Sequence, residues 1–149
     1  MHLFYIPNEI TNAYFGAVAL LAWWTGDWRA RAIVTCQIAI IAVGYYCTYG
    51  PCRRAGHPWA QWFAEDIVLL AVCVACALRA QRYWPIWASS CALLVLVTDV
   101  LMFVDPRITA WADLAASYVW RILLSGAVLS GVWPAVRASL FPPQPHQPG

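Results

Sequence analysis

The chain has 149 residues, of which 62% are hydrophobic and only 11% are charged, and its mean hydropathy is +0.61. A soluble domain carries roughly 25% charged residues, so this composition argues against an ordinary soluble protein and predicts an integral membrane protein. The formal net charge of +2 is too small and too scattered to indicate a nucleic-acid partner. The first twelve residues lack the basic region of a signal peptide, so we expect the first apolar segment to be retained.

Five apolar segments follow one another along the chain, at residues 10–24, 32–49, 59–78, 86–104 and 114–132. A helix of roughly 20 apolar residues crosses the hydrocarbon core of a bilayer. The pattern therefore predicts an all-α membrane protein, a bundle of five transmembrane helices forming a single domain over residues 1–140. A Pro-rich, disordered tail is expected at residues 141–149. The first segment is the shortest, and the alternative is four spans with an N-terminal helix lying at the membrane interface.

Arginines in the loops predict the orientation of the bundle. With five spans, one side of the membrane collects five arginines and the other side collects three. Short cytoplasmic loops carry the excess of basic residues, so we expect an outside N-terminus and a cytoplasmic C-terminus in a bacterial inner membrane. The larger group is Arg29, Arg31, Arg79, Arg82 and Arg137, and the smaller group is Arg53, Arg54 and Arg107.

Two charged residues, Asp99 and Arg121, lie inside apolar segments. An ionisable side chain at the bilayer centre costs roughly 2.5–3.5 kcal/mol, so it usually has a partner or faces water. The connector at residues 105–113 makes the last two segments antiparallel neighbours, which brings both charges to similar depth. We expect the two side chains to face the bundle interior and to meet directly or through one water. Such a pair either locks two helices together or belongs to a pathway for ions or protons.

Three further acids, Glu65, Asp66 and Asp113, fall in the outer half of the predicted bundle. Together they predict an acidic, hydrated vestibule at the outer surface. Its functional interpretation is a binding site or the mouth of an ion path. The competing interpretation is that these acids are interfacial side chains without a ligand.

Four of the six cysteines form two pairs of interest. Cys47 and Cys52 flank a short turn at the outer end of the second segment, where an oxidising compartment permits a disulfide. Cys73 and Cys76 form a C-x-x-C motif, a spacing used in redox and metal sites. That motif lies in an apolar run towards the end of its segment, where thiols stay protonated and inert. Small core-packing residues are therefore the favoured interpretation.

The sequence predicts no catalytic group, metal site or cofactor, since its three histidines lie outside the segments and no catalytic or nucleotide motif occurs. The favoured function is a non-enzymatic multi-pass membrane protein that acts as a subunit or scaffold. Its expected partners are the lipid bilayer and either further copies of the chain or other membrane subunits. One alternative is a small oligomeric transporter or pore, including a phage holin-type protein, that uses the acidic vestibule. A second alternative is a membrane thiol redox protein.

Overall fold

The computed structural model describes residues 8–49, 58–105, 107 and 110–140, which form five helices and no strands. The helices are α1 (Asn8–Thr25), α2 (Trp28–Tyr49), α3 (Pro58–Leu78), α4 (Trp84–Val104) and α5 (Ala110–Leu140). Each predicted apolar segment lies within one of these helices, which confirms the all-helical prediction. The predicted disordered tail at residues 141–149 lies outside the described residues.

Only two residues connect α1 to α2. Gly26 donates its N–H to the carbonyl oxygen of Ala22 at 2.9 Å, and a Cβ atom at Gly26 would collide with that same oxygen. Asp27 caps the next helix, because its Oδ1 accepts the N–H of Ala30 at 3.0 Å. The tight turn makes α1 and α2 antiparallel neighbours.

The turn between α3 and α4 lies at the same end of the molecule. Arg29 donates from Nη2 to the carbonyl oxygen of Arg79 at 2.6 Å, which joins the start of α2 to the end of α3. Pro85 occupies the first turn of α4, where no helical hydrogen bond needs its missing N–H. Trp84 packs on Gly131 of α5, where a Cβ atom would lie 2.6 Å from three ring carbons. We refer to this end of the bundle as the Trp84 end.

The five helices close into a ring. Each helix contacts the next one in sequence, and α1 contacts α5. Across the ring, α2 approaches α5, whereas the described parts of α3 and α5 have no close backbone contact. The contacts at the Trp84 end show that α1, α3 and α5 run in one direction and α2 and α4 in the other. The interior of the ring is therefore lined by all five helices.

Buried residues recur every three or four positions along the helices, so that they lie on the inner faces. On α4 the buried stripe contains Ala88, Ala92 and Val95, and on α5 it contains Leu124 and Val128. Small side chains such as alanine at the helix–helix contacts let neighbouring backbones approach each other closely. The other large buried side chains are Ile33 of α2 and Leu69 of α3.

Helix α5 continues further than the sequence predicted. The last apolar segment was predicted to end at residue 132, but the helix extends to Leu140 with Pro134 inside it. Proline removes one helical N–H and crowds the preceding turn, which usually ends or kinks a helix. Val132 and Val136, one on each side of Pro134, are both buried against the bundle. This packing accounts for the continuation of the helix.

Two helical stretches, Trp84–Val104 and Ala115–Leu140, are long and apolar enough to cross a membrane, with mean hydropathies of 2.0 and 1.4. By length and composition alone they suggest membrane insertion only weakly, since a core helix of a soluble protein has the same properties. A soluble core helix, however, is mostly buried. Within the 18-residue apolar part of each of these two stretches, only 22% and 28% is buried, respectively.

Candidate functional site

An ion pair crosses the interior of the ring. Arg121 of α5 donates from Nη2 to Oδ1 of Asp66 on α3 at 2.7 Å, at the short end for a charge-assisted N–H···O bond. The side chain of Asp66 is 3% exposed and that of Arg121 is 27% exposed. Because α3 and α5 are not neighbours in the ring, the long arginine side chain makes this connection.

The local sequence explains why both side chains point inwards. Asp66 precedes Leu69 and Cys73 by three and seven residues, and all three are buried on one face of α3. Arg121 precedes Ser125 and Val128 by four and seven residues, and these two are buried on one face of α5. Each charged residue lies on the same helix face as the buried residues that follow it, so the packing of that face turns the charge towards the interior.

Two further polar contacts lie beside the ion pair. Tyr14 of α1 donates its hydroxyl to the carbonyl oxygen of Ile122 at 3.4 Å. Gln37 of α2 donates from Nε2 to the hydroxyl oxygen of Ser125 at 3.5 Å. Both contacts are long, so each contributes less than the ion pair. We define the polar layer as Tyr14, Gln37, Asp66, Arg121 and Ser125, which joins α1, α2 and α3 to α5.

The polar layer lies near the middle of the helices. Arg121 precedes Gly131 by ten residues, which corresponds to about 15 Å of helix from the Trp84 end. Asp66 precedes Arg79 by thirteen residues, or about 20 Å on the same scale. For helices that cross a hydrocarbon core of about 30 Å, both charges lie around the midplane.

Burial determines what the ion pair can do. Removing both charges from water costs free energy that their attraction only partly offsets, so the pair adds little net stability over apolar packing. Loss of one partner is costly, because the other charge stays buried. The arrangement can therefore fix the register of α3 against α5, or it can serve as a charged station on a path through the ring.

The contact of Arg121 with Asp66 was not predicted from the sequence, which paired Arg121 with Asp99. Asp99 is half-buried on α4. A contact of Asp99 with Arg121, direct or through a water, stays a prediction.

The acids of the predicted vestibule occupy different environments. Asp66 is buried on Arg121, and Glu65 is half-buried with its Oε2 beside Gly44 of α2. The side chain of Asp113 lies outside the described residues. An acidic vestibule that contains all three acids therefore stays a prediction, and the structure assigns Asp66 a contact that the sequence did not identify.

A signal for that contact was present in the sequence. Asp66 begins the three- and four-residue spacing that continues through Leu69, Cys73 and Cys76, all of which are buried in the structure. An acid in phase with an apolar stripe is expected on the inner face of its helix. The spacing alone did not show that α3 lies opposite α5.

The four cysteines whose side chains the structure describes have free thiols. Cys73 and Cys76 are buried among apolar side chains, and Cys36 and Cys91 are half-buried against the same core. This burial favours the packing interpretation of the C-x-x-C motif, since reactive thiols need solvent access. The predicted disulfide between Cys47 and Cys52 involves side chains outside the described part of the chain.

Among the described residues, no group of three or more histidine, cysteine or acidic side chains could hold a metal ion. No protein-family model, no curated protein and no solved structure matches the chain. The interpretation of the polar layer therefore rests on its own chemistry.

Proposed function

We propose that the chain is a non-enzymatic, multi-pass membrane protein that acts as a subunit or scaffold of a membrane assembly. Its five helices all cross the bilayer, with the N-terminus outside and the C-terminus in the cytoplasm. The observation that carries the proposal is the distribution of polarity: large apolar side chains cover the outside of the ring, and a buried ion pair lies inside it. A soluble bundle has the opposite arrangement.

Every helix contributes large apolar side chains to the outer surface. Examples from α1 to α5, in order, are Leu20, Ile41, Val68, Leu93 and Leu123, all of which are exposed. A monomeric soluble protein rarely exposes a contiguous apolar patch larger than a few hundred Å². Lipid or other membrane helices are the surroundings that such a surface fits.

The exposed part of Arg121 calls for water or protein, not lipid, as its surroundings. The exposed 27% of its side chain lies near the middle of the helices. Contact between a guanidinium and lipid at that depth is unfavourable by roughly 2.5–3.5 kcal/mol. In the proposed assembly, water between the helices or a neighbouring subunit covers this part of Arg121, and the neighbouring subunit gives the outer surface a protein partner.

Native mass spectrometry of the protein extracted from membranes in a mild detergent tests the assembly. The expected result is a complex of several copies, or of this chain with other membrane proteins, that persists on tenfold dilution. Protein recovered only as a monomer contradicts the proposal. Recovery in the aqueous fraction, without detergent, contradicts membrane insertion itself.

The buried charges favour one alternative, a small oligomeric transporter or pore, including a holin-type protein. In that function a water-filled crevice covers Arg121, and ions or protons pass the polar layer. The apolar double variant Asp66→Leu/Arg121→Met distinguishes the two functions. If the ion pair only holds helices together, as in a subunit or scaffold, the double variant assembles normally and keeps its function. In a transporter it assembles normally, and flux into proteoliposomes is lost.

A further inference from the structure

The two ends of the bundle differ in charge. The loops and helix ends at the Trp84 end carry five arginines and a single acid, Asp27. The sequence segments that precede or follow the helices at their other ends carry three arginines and three acids, so their charges balance. Those residues are Arg53, Arg54, Arg107, Glu9, Asp105 and Asp113.

Asp27 neutralises only one of the five arginines. Its Oδ2 accepts a hydrogen bond from Nη1 of Arg29 at 3.2 Å, while its Oδ1 caps α2. Arg29 is further engaged with the carbonyl oxygen of Arg79, and its guanidinium lies 5.2 Å from the ring centroid of Trp28. The contacts of Asp27 and Arg29 are thus internal to the fold.

The other four arginines at this end are exposed, and none has an ion pair within the part of the chain that the structure describes. They are Arg31, Arg79, Arg82 and Arg137. Exposed aromatic rings accompany them, and amphipathic rings of this kind favour the level of lipid headgroups. These rings belong to Trp24, Trp28, Tyr83, Trp87 and Trp133.

We propose that the Trp84 end binds the headgroups of anionic phospholipids, with Arg79 and Arg82 as the main phosphate contacts. The inference rests on the proposed membrane location and names a lipid partner for it. Arg79 and Arg82 lie three residues apart in the short turn between α3 and α4, and both side chains are exposed. Guanidinium groups match phosphate oxygens with parallel N–H donors, and basic residues beside a membrane attract anionic lipids.

Native mass spectrometry of the detergent-solubilised protein, titrated with phosphatidylglycerol or with phosphatidylcholine, tests the proposal. The variant Arg79→Gln/Arg82→Gln is compared with Arg107→Gln, which removes an exposed arginine at the opposite end. Glutamine at residue 79 keeps the backbone carbonyl that accepts the hydrogen bond from Arg29. Far-UV circular dichroism confirms that the variants fold.

The expected result is preferential binding of phosphatidylglycerol, which weakens about fivefold for each arginine removed from the turn and is unchanged in Arg107→Gln. Equal binding of the two lipids overturns the proposal, as does an undiminished preference in the double variant. Displacement of the lipid by millimolar inorganic phosphate also overturns it, because it indicates a site for free phosphate. If the protein needs detergent but shows no lipid preference, the proposed membrane location stands and only this inference fails.

Discussion

Replacement of Arg121 by methionine is expected to destabilise the bundle by about 3–5 kcal/mol, because Asp66 then remains as a buried charge without its cation. The side chain of Asp66 is only 3% exposed, so solvent cannot replace Arg121. Asp66→Asn should cost less, about 1–3 kcal/mol, since the charge left behind is that of Arg121, which is 27% exposed. The two single variants thus have a predicted order.

Unfolding in detergent micelles, followed by circular dichroism, measures both variants and the double variant Asp66→Leu/Arg121→Met. The double variant should recover most of the lost stability, since neither charge is left without a partner. A larger loss for Asp66→Asn than for Arg121→Met contradicts the observed burial. Two single variants as stable as the parent protein would show that the ion pair does not join α3 to α5.

Replacement of Leu124 by alanine is expected to cost about 2–5 kcal/mol, because it removes apolar contacts and leaves a cavity in the core. Leu124 is fully buried on the inner face of α5. The adjacent Leu123 is exposed on the outer face of the same helix. Leu123→Ala is therefore a matched control with the same chemical change, and its expected effect is within about 0.5 kcal/mol.

The same unfolding measurement compares these two leucine variants. A loss of stability in Leu123→Ala as large as that in Leu124→Ala would contradict the assigned inner and outer faces of α5. The mass of the assembled complex provides a second comparison for Leu123→Ala. Dissociation of the complex with unchanged stability of each bundle would place Leu123 in a subunit interface.

The positions of the helices could be predicted from the sequence, because apolar segments of about 20 residues and their breakers are local signals. The role of Pro85 in the first turn of α4 is one such signal. Pro134 shows where local sequence signals are not sufficient. The same residue type lies inside α5, where the packing of Val132 and Val136 outweighs the local cost of proline.

The contact of Arg121 with Asp66 could not be predicted from local signals. The short connector makes α4 and α5 neighbours in sequence, which predicts a contact of Arg121 with Asp99, and that contact stays a prediction. The ring closes through contacts between α1 and α5, and α3 then lies across the interior from α5. This tertiary arrangement brings Asp66 within reach of Arg121. Helix periodicity shows which face of a helix is buried, but not which helix it meets.

Cysteine labelling in intact cells tests the proposed membrane topology most directly. In a Cys47→Ser/Cys52→Ser background, the variants Arg82→Cys and Arg107→Cys each place one thiol at an exposed position, on opposite ends of the bundle. A membrane-impermeant maleimide should label Arg107→Cys in intact cells and should label Arg82→Cys only after the membrane is permeabilised. Labelling of Arg82→Cys in intact cells would contradict the orientation, and equal labelling of both variants would contradict a bundle that spans the membrane.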